Sequence, residues 1–358
     1  DDNDYVENSP FTNQVAIVFN GTTATVSGDL DDVDVEINGA YVTIDSYSKE
    51  VEYIVSGSSN NGALKIYSSY KFQLTLAGLT LTNPKGAAIN NQAGKHMYVV
   101  LAPGTVNTII DGEEYASETS EDEKGAFFSE GQIVFSGSGE LRVYGNHRHG
   151  IASDDYIIFR PGSKFYVNST AGHGIKANDG IDIRGSVLNV EVSKTSAKGV
   201  NSDGYVNISG GRTTIITTGQ SIVEGNDTSS CAAVKCDSTF TMTGGTIGGG
   251  TANANKSTGG NGGGFFITGA YSKVTVSGGN ITYNTATAGN GGGFYVNNSS
   301  SDGTTISGSA QVKYNQAKNG AGAFVNAGKL TIESGAVLQN AVSDNGLRIQ
   351  VRLRLRRQ

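Results

Sequence analysis

Residues 150–159, GIASDDYIIF, are restated at residues 174–183 as GIKANDGIDI, a step of 24 positions. The reading works outward from this pair. Gly125-Ala126-Phe127 precedes it by 25 positions, and Gly199-Val200-Asn201 follows the second copy by 25. Each glycine start leads into a short alternating run, such as Gln132-Ile133-Val134-Phe135 or Tyr205-Val206-Asn207-Ile208, then a glycine turn, then a second run such as Leu141-Arg142-Val143 or Phe165-Tyr166-Val167. Period-2 alternation over so few residues predicts short strands. One unit of this size cannot bury its own apolar face, but stacked units can. Stacking sets Ile151, Ile175 and Val200 in one row, and Ile157, Ile181 and Val206 in another.

Later the repeat changes character. Asn261-Gly262-Gly263-Gly264-Phe265-Phe266 returns as Asn290-Gly291-Gly292-Gly293-Phe294-Tyr295 and again as Asn319-Gly320-Ala321-Gly322-Ala323-Phe324, at steps of 29. Upstream, residues 15–110 also alternate, and Gly86-Ala87-Ala88-Ile89-Asn90 matches the glycine start. Repeats of 24–29 residues with several short strands each predict an all-β chain, specifically a right-handed parallel β-helix solenoid. No leucine-rich or Trp-Asp repeat signature competes with it. The expected organisation is a β-helix over 1–245 with an N-terminal cap, continuing glycine-rich coils over 246–340, and a basic tail or cap over 341–358. That tail carries five of the ten arginines from Arg348 onward.

The composition narrows the function. Net charge is −7, there is no Trp, and Gly, at 51 residues, is abundant. An acidic chain is a poor partner for nucleic acid. No apolar run of about 18 residues is present to span a membrane. Charged residues are only 16%, unlike a disordered chain; the polarity comes from Asn, Ser, Thr and Gly. Cys231 and Cys236 are close enough for a small disulfide loop, or are two buried thiols. No metal-box or nucleotide-loop spacing accompanies them.

Aligned on their strands, Asp154, Asn178 and Asp203 share one column, and Asp155 and Asp179 the next. Parallel strands lie about 4.8 Å apart, so such carboxylates repel one another unless a cation intervenes. Hard oxygen donors at that density suit calcium; the alternative is turn chemistry, since Asp and Asn bond their own backbone. The acidic stretch from Glu113 to Glu123 reads as a solvated loop. A second column holds His149, His173 and Lys198, with His147 and Arg148 beside it and Lys176 close by. A basic ladder beside an acidic one is suited to clamping an anionic sugar; the alternative is a solvated loop edge. Outward-looking Tyr144, Tyr156, Tyr166 and Tyr205 offer stacking surfaces. β-Elimination would need a base, with Lys176 or Lys198 as candidates, and neighbouring carboxylates would push a lysine pKa the wrong way. No catalytic set is assigned.

Gly86-Ala87-Ala88-Ile89-Asn90, the run Leu101-Ala102-Pro103-Gly104-Thr105 through Asp111-Gly112, and the Gly150 and Gly174 repeats resemble secreted bacterial carbohydrate-binding proteins with a polysaccharide-lyase-like β-helix. The resemblance covers roughly residues 60–245. It implies a calcium-containing β-helix that binds plant-type or acidic polysaccharide without cleaving it, outside the cell or at its surface. The Gly-Gly-Gly-Phe repeats are instead similar to bacterial surface adhesins. The expected function is calcium-assisted, non-catalytic polysaccharide binding. A calcium-dependent polysaccharide lyase and an adhesin or structural surface protein are the alternatives.

Overall fold

In the computed structural model, the described residues are 2–116, 121–224, 227–229, 231–250, 255–268, 272–297, 303–339 and 342–343. The arginine-rich tail from Arg348 onward lies outside them. Among the described residues the only helical turns are two 3-10 segments, Asp2–Asp4 and Val6–Asn8; the rest of the regular structure is strand. The chain divides into two compact units, Asp1–Val192 and Ser193–Gln358.

In the first unit, alternation becomes burial. Ala40–Ser46, and Gly62–Ser68 as far as Ile66, bury every second residue, as a half-covered strand must. Two antiparallel hairpins start the unit, pairing Asn13–Asn20 with Thr23–Gly28 and Val33–Asn38 with Ala40–Ser46. Thereafter the pairing within the unit is parallel. Ile89, Phe127, Ile151 and Ile175 form one row of a sheet, and Ile133, Ile157 and Ile181 a row of another.

The expected right-handed β-helix solenoid requires correction. The larger sheet closes on itself as an eight-strand parallel barrel in its hydrogen-bond connectivity, and the chain adds a second sheet to it. The ring runs through Phe72–Asn83, Met97–Leu101, Ile133–Gly137, Tyr156–Phe159, Gly180–Val192, Lys164–Ser169, Glu140–Gly145 and Val106–Asp111. Two long strands close it. Phe72–Leu76 pairs with Met97–Leu101 while Thr80–Asn83 of the same strand pairs with Thr108–Asp111. Likewise Gly180–Ile183 pairs with Tyr156–Phe159, and Val187–Val192 with Lys164–Ser169. Gly185, at the place of a glycine turn between the two runs of its repeat, and Gly78 thus lie inside continuous strands.

The interior of this unit is aromatic. Phe135 stacks on Phe159 with centroids 5.2 Å apart, and both meet the Phe165 ring edge-on at 5.1 and 4.9 Å. Gly150 explains the glycine that starts each repeat. A Cβ there would lie 2.5 Å from Val167 Cγ1 and 2.7 Å from the Gly174 carbonyl oxygen, so any side chain would clash.

An N-terminal strap covers part of the outer surface. Val6 and Phe11 pack on the buried cluster of Tyr98, Val134 and Ile158. Arg184 bonds Asp4 and Asp182, each at 2.8 Å, and Arg160 grips Glu7 through Nη1 and Nη2. The Tyr98 hydroxyl donates to the Asn3 carbonyl at 2.7 Å.

In the second unit, Val234, Phe265, Phe294 and Ala323 share a row, so the step of 29 positions is one sheet register. Phe240, Phe265 and Phe294 stack inside at 4.4 and 4.9 Å. Two asparagine ladders accompany them. Asn284 donates through backbone N–H and Nδ2 to Asn315 Oδ1, both at 2.9 Å. Asn290 donates its N–H to Asn261 Oδ1 at 2.7 Å, and Asn319 Nδ2 donates to Asn290 Oδ1 at 2.7 Å. Cys231 and Cys236 are buried free thiols, not a disulfide; burial pushes the Cys236 thiol up to about 12.

Candidate functional site

Strand His149–Ser153 organises the candidate site in the first unit, with a basic group at its start and an acidic one just past its end. At the start, the His149 and His173 rings stack with centroids 4.9 Å apart and planes 11° from parallel. The His173 backbone N–H donates to His149 Nδ1 at 2.9 Å, so the neutral ring carries its proton on Nε2. Arg148 is exposed beside them. His147 stacks on Tyr115 at 4.1 Å, with Nδ1 2.8 Å from the Glu113 carbonyl. Behind this pair lies Asp111, 2% exposed. Burial pushes its carboxyl up, although it accepts from Tyr115 Oη at 2.7 Å and from the Asn146 N–H at 2.6 Å. Lys176 is half-buried in its strand, beside Ala152, and its Nζ donates to the Ala177 carbonyl at 3.2 Å.

Past the end of the strand, Asp154 and Asn178 do form a column: Asn178 Nδ2 donates to Asp154 Oδ1 at 3.3 Å. Asp155 and Asp179 form the next, joined by the Asp179 N–H to the Asp155 carbonyl at 3.1 Å. Burial, and then the charge of Asp179, push the Asp155 carboxyl up, against hydrogen bonds from the Tyr156 N–H and Gln132.

The acidic column is larger than the sequence reading made it. Ser129 pairs with Ser153 across the strands, so Glu130 occupies the Asp154 position one repeat earlier. Asp122, Glu130 and Asp154 each offer a carboxylate oxygen, all within 4.8 Å of one another. Extending the 24-residue step backward from Asp154 finds Glu130; Asp122 arrives from a non-repeating loop and has no such signal. Lys124 joins this group, bonding Asp154 and, at 2.9 Å, Asp122. Burial and the charge of Asp154 push the Glu130 carboxyl up. Three hard oxygens are a partial shell for calcium, which takes six to eight. The ammonium of Lys124 already serves as their cation, so an ion would enter only as that side chain withdraws.

Two expectations change with this geometry. The basic and acidic columns are not adjacent: five residue steps of extended chain separate His149 from Asp154, about 16 Å. The acidic stretch before Lys124 is not simply solvated either. Glu121 accepts from Lys65 Nζ at 2.8 Å and Tyr67 Oη at 2.5 Å. Glu123 accepts from the Ala87 N–H at 2.9 Å and Asn90 Nδ2 at 3.1 Å.

Lys198 and Asp203 belong to the second unit. Asp203 is exposed. Lys198 is 8% exposed and its Nζ donates to the Ser196 carbonyl at 2.7 Å. Burial, and then the charge of Lys235, hold its amine down at about 8. That direction is opposite to the one expected from neighbouring carboxylates. Of the four tyrosines, Tyr144 and Tyr166 are exposed at 39% and 44%. Tyr156 instead bonds His96 at 2.7 Å, and Tyr205 is half-buried.

The profile of a family described as "Carbohydrate-binding domain-containing protein" matches residues 38–350. A protein of the same description from Acetivibrio thermocellus is 30% identical over 115 residues, which is 31% of this chain and 40% of that relative's own length. Among solved structures, the polysaccharide lyase-like protein from C. thermocellum, as its gadolinium derivative, aligns with 92% of this chain and 97% of its own at 19% identity, with a TM-score of 0.40. That last likeness is too distant to carry an argument.

Proposed function

The chain belongs to the family of carbohydrate-binding domain-containing proteins, and on that premise we propose that it binds, without cleaving, a polysaccharide of acidic or plant cell-wall type. The observation that carries this reading is the basic edge: stacked His149 and His173 beside the exposed Arg148. Cationic and imidazole groups in register along parallel strands meet the carboxylates of a uronate polymer at successive positions. Calcium belongs to the proposal as the cation of the Asp122, Glu130 and Asp154 group, with Asn178 joined to that column and Asp155 and Asp179 in the column beside it. It would neutralise these carboxylates, of which burial already disfavours the charged forms of Glu130 and Asp155, and bridge them to acidic sugar. Placement outside the cell is part of the same reading, supported by the Asn-, Ser-, Thr- and Gly-rich strand composition.

One observation favours a second reading. An amine held at about 8, as at Lys198, suits a general base for β-elimination from a uronate. A single experiment separates the two. Hexagalacturonate is titrated calorimetrically with calcium and with chelator while absorbance near 235 nm, that of an unsaturated uronate product, is followed. Calcium-dependent heat at constant absorbance, weakened about tenfold by Arg148→Ala with His173→Ala, supports binding. Rising absorbance that Lys198→Met abolishes makes the protein a lyase. Heat unchanged by the double substitution refutes the basic edge.

A further inference from the structure

A second surface of the first unit has the chemistry of a sugar lane, on strands other than the one that organises the columns already described. Ser58, Thr80, Thr108, Arg142, Tyr166 and Asn189 occupy matched positions on six successive parallel strands. From Thr80 onward each lies on the outward phase of an alternating strand whose neighbouring residues are buried: Leu79 and Leu81 flank Thr80, Asn107 and Ile109 flank Thr108, Leu141 and Val143 flank Arg142, Phe165 and Val167 flank Tyr166, and Leu188 and Val190 flank Asn189. Five strand steps make the row about 24 Å long. Its groups are two hydroxyl types, an amide, a phenol and one guanidinium. The charge of Arg142 is met locally, since its Nε bonds Glu140 Oε1 at 2.7 Å. The guanidinium also sits 5.9 Å from the Tyr166 ring centroid, which restrains that ring. Tyr144 lies on the adjoining row, one outward position along the same strand as Arg142.

We propose that this row is a docking lane for a neutral, extended glycan laid across the strands, distinct from the basic edge. The inference rests on the carbohydrate-binding reading and adds to it a location and a ligand class. Net charge decides the class. A lane whose one cation is already paired favours a neutral chain over a polyuronate, since its hydroxyls and amides hydrogen-bond sugar hydroxyls and tyrosine faces pack on sugar C–H groups. Rigid parallel strands hold these groups at a constant spacing, so a regular polymer meets equivalent partners at regular intervals.

The test uses the full chain, with cellohexaose and xylohexaose as neutral probes and hexagalacturonate as the acidic one. Tyr166→Ala is expected to weaken neutral-hexaose binding at least tenfold and to leave hexagalacturonate binding and the thermal midpoint unchanged. Asn189→Ala and Thr108→Val, at either side of the tyrosine, are expected to weaken it severalfold, so the result does not hang on one variant. Arg148→Ala with His173→Ala should spare neutral binding. Neutral hexaoses that bind the wild type and Tyr166→Ala equally well overturn the lane. Binding of hexagalacturonate alone also overturns it while leaving the basic edge standing. A Tyr166→Ala protein that loses both ligands overturns it as a separate site.

Discussion

Removing residues 1–11 isolates the contribution of the N-terminal strap. The deletion strips Val6 and Phe11 from the Tyr98, Val134 and Ile158 cluster. Full burial of one such side chain contributes about 1.5–3 kcal/mol, so two half-buried ones contribute about 2 kcal/mol together. Loss of the hydrogen bond from Tyr98 to the Asn3 carbonyl adds about 1 kcal/mol. The Asp4–Arg184 pair adds about 1 kcal/mol and no more, because Arg184 keeps Asp182 and is not left alone. The Glu7 carboxylate is 63% exposed, so its pair with Arg160 contributes about 0.5 kcal/mol at most. The expected loss is about 4 kcal/mol, about half of it from burial and the rest from the polar contacts. With no Trp and 16 Tyr in the chain, urea unfolding is best followed by tyrosine emission together with circular dichroism. Glu7→Gln should barely move the midpoint. A deletion that costs under about 1 kcal/mol would refute the reasoning, because a cluster that is covered cannot be uncovered at so small a cost.

Other outcomes follow from the same packing. Phe159→Ala should cost about 3–5 kcal/mol by urea unfolding, since the residue is fully buried and touches two other rings. Gly264→Ala should lower the thermal midpoint, because the new Cβ would stand 2.3 Å from the Gly293 carbonyl oxygen, and the overpacking costs about 1–3 kcal/mol. Cys231 and Cys236 should react with an aromatic disulfide reagent only on unfolding, and reductant should leave the midpoint unchanged. For pH, the hydrogen bonds from Lys65 and Tyr67 hold the Glu121 carboxyl below its ordinary 4.5. Its contribution is therefore present above 4.5 and lost as pH falls through the lower folded value. Thermal melts of Glu121→Gln should differ from wild type near neutrality and converge with it in acid.

The rows of the sheets were legible because they depend on spacing alone. Ile151 meets Ile175 and Ile157 meets Ile181, as the 24-residue step implies. The closure of the ring was not legible. Gly78 and Gly185 carry the composition of turns, yet hydrogen bonding continues through them, and only the tertiary partners of Phe72–Asn83 and Gly180–Val192 decide this. At the site, Asp154, Asn178, Asp155 and Asp179 could be aligned because they repeat, and Glu130 would have followed by one more step back. Asp122 and Lys124 could not, since a loop side chain reaches a column by its path through space. Nor could the lysine pKa be read: Lys198 was judged by acidic neighbours in sequence, whereas its burial and Lys235 set the direction.

The asparagine ladder of the second unit also bears on how the protein ages. Asn261, Asn290 and Asn319 each precede glycine, the pairing in which a side-chain amide is most easily lost through attack by the next backbone nitrogen. In the folded chain the first two of those nitrogens are engaged: the Gly262 N–H donates to the Asn290 carbonyl at 2.9 Å and the Gly291 N–H to the Asn319 carbonyl at 3.0 Å. The side-chain oxygens of Asn261 and Asn290 are also committed to the next copy along. At Asn261 and Asn290, neither the attacking atom nor the amide is free to rotate into reach. Conversion of one of them to aspartate would set a negative charge within a row of amides that now bond one another. Loss of the Asn261 and Asn290 amides is therefore gated by local unfolding, so the repeat that shapes the sheet also slows the chemical ageing of these two sites.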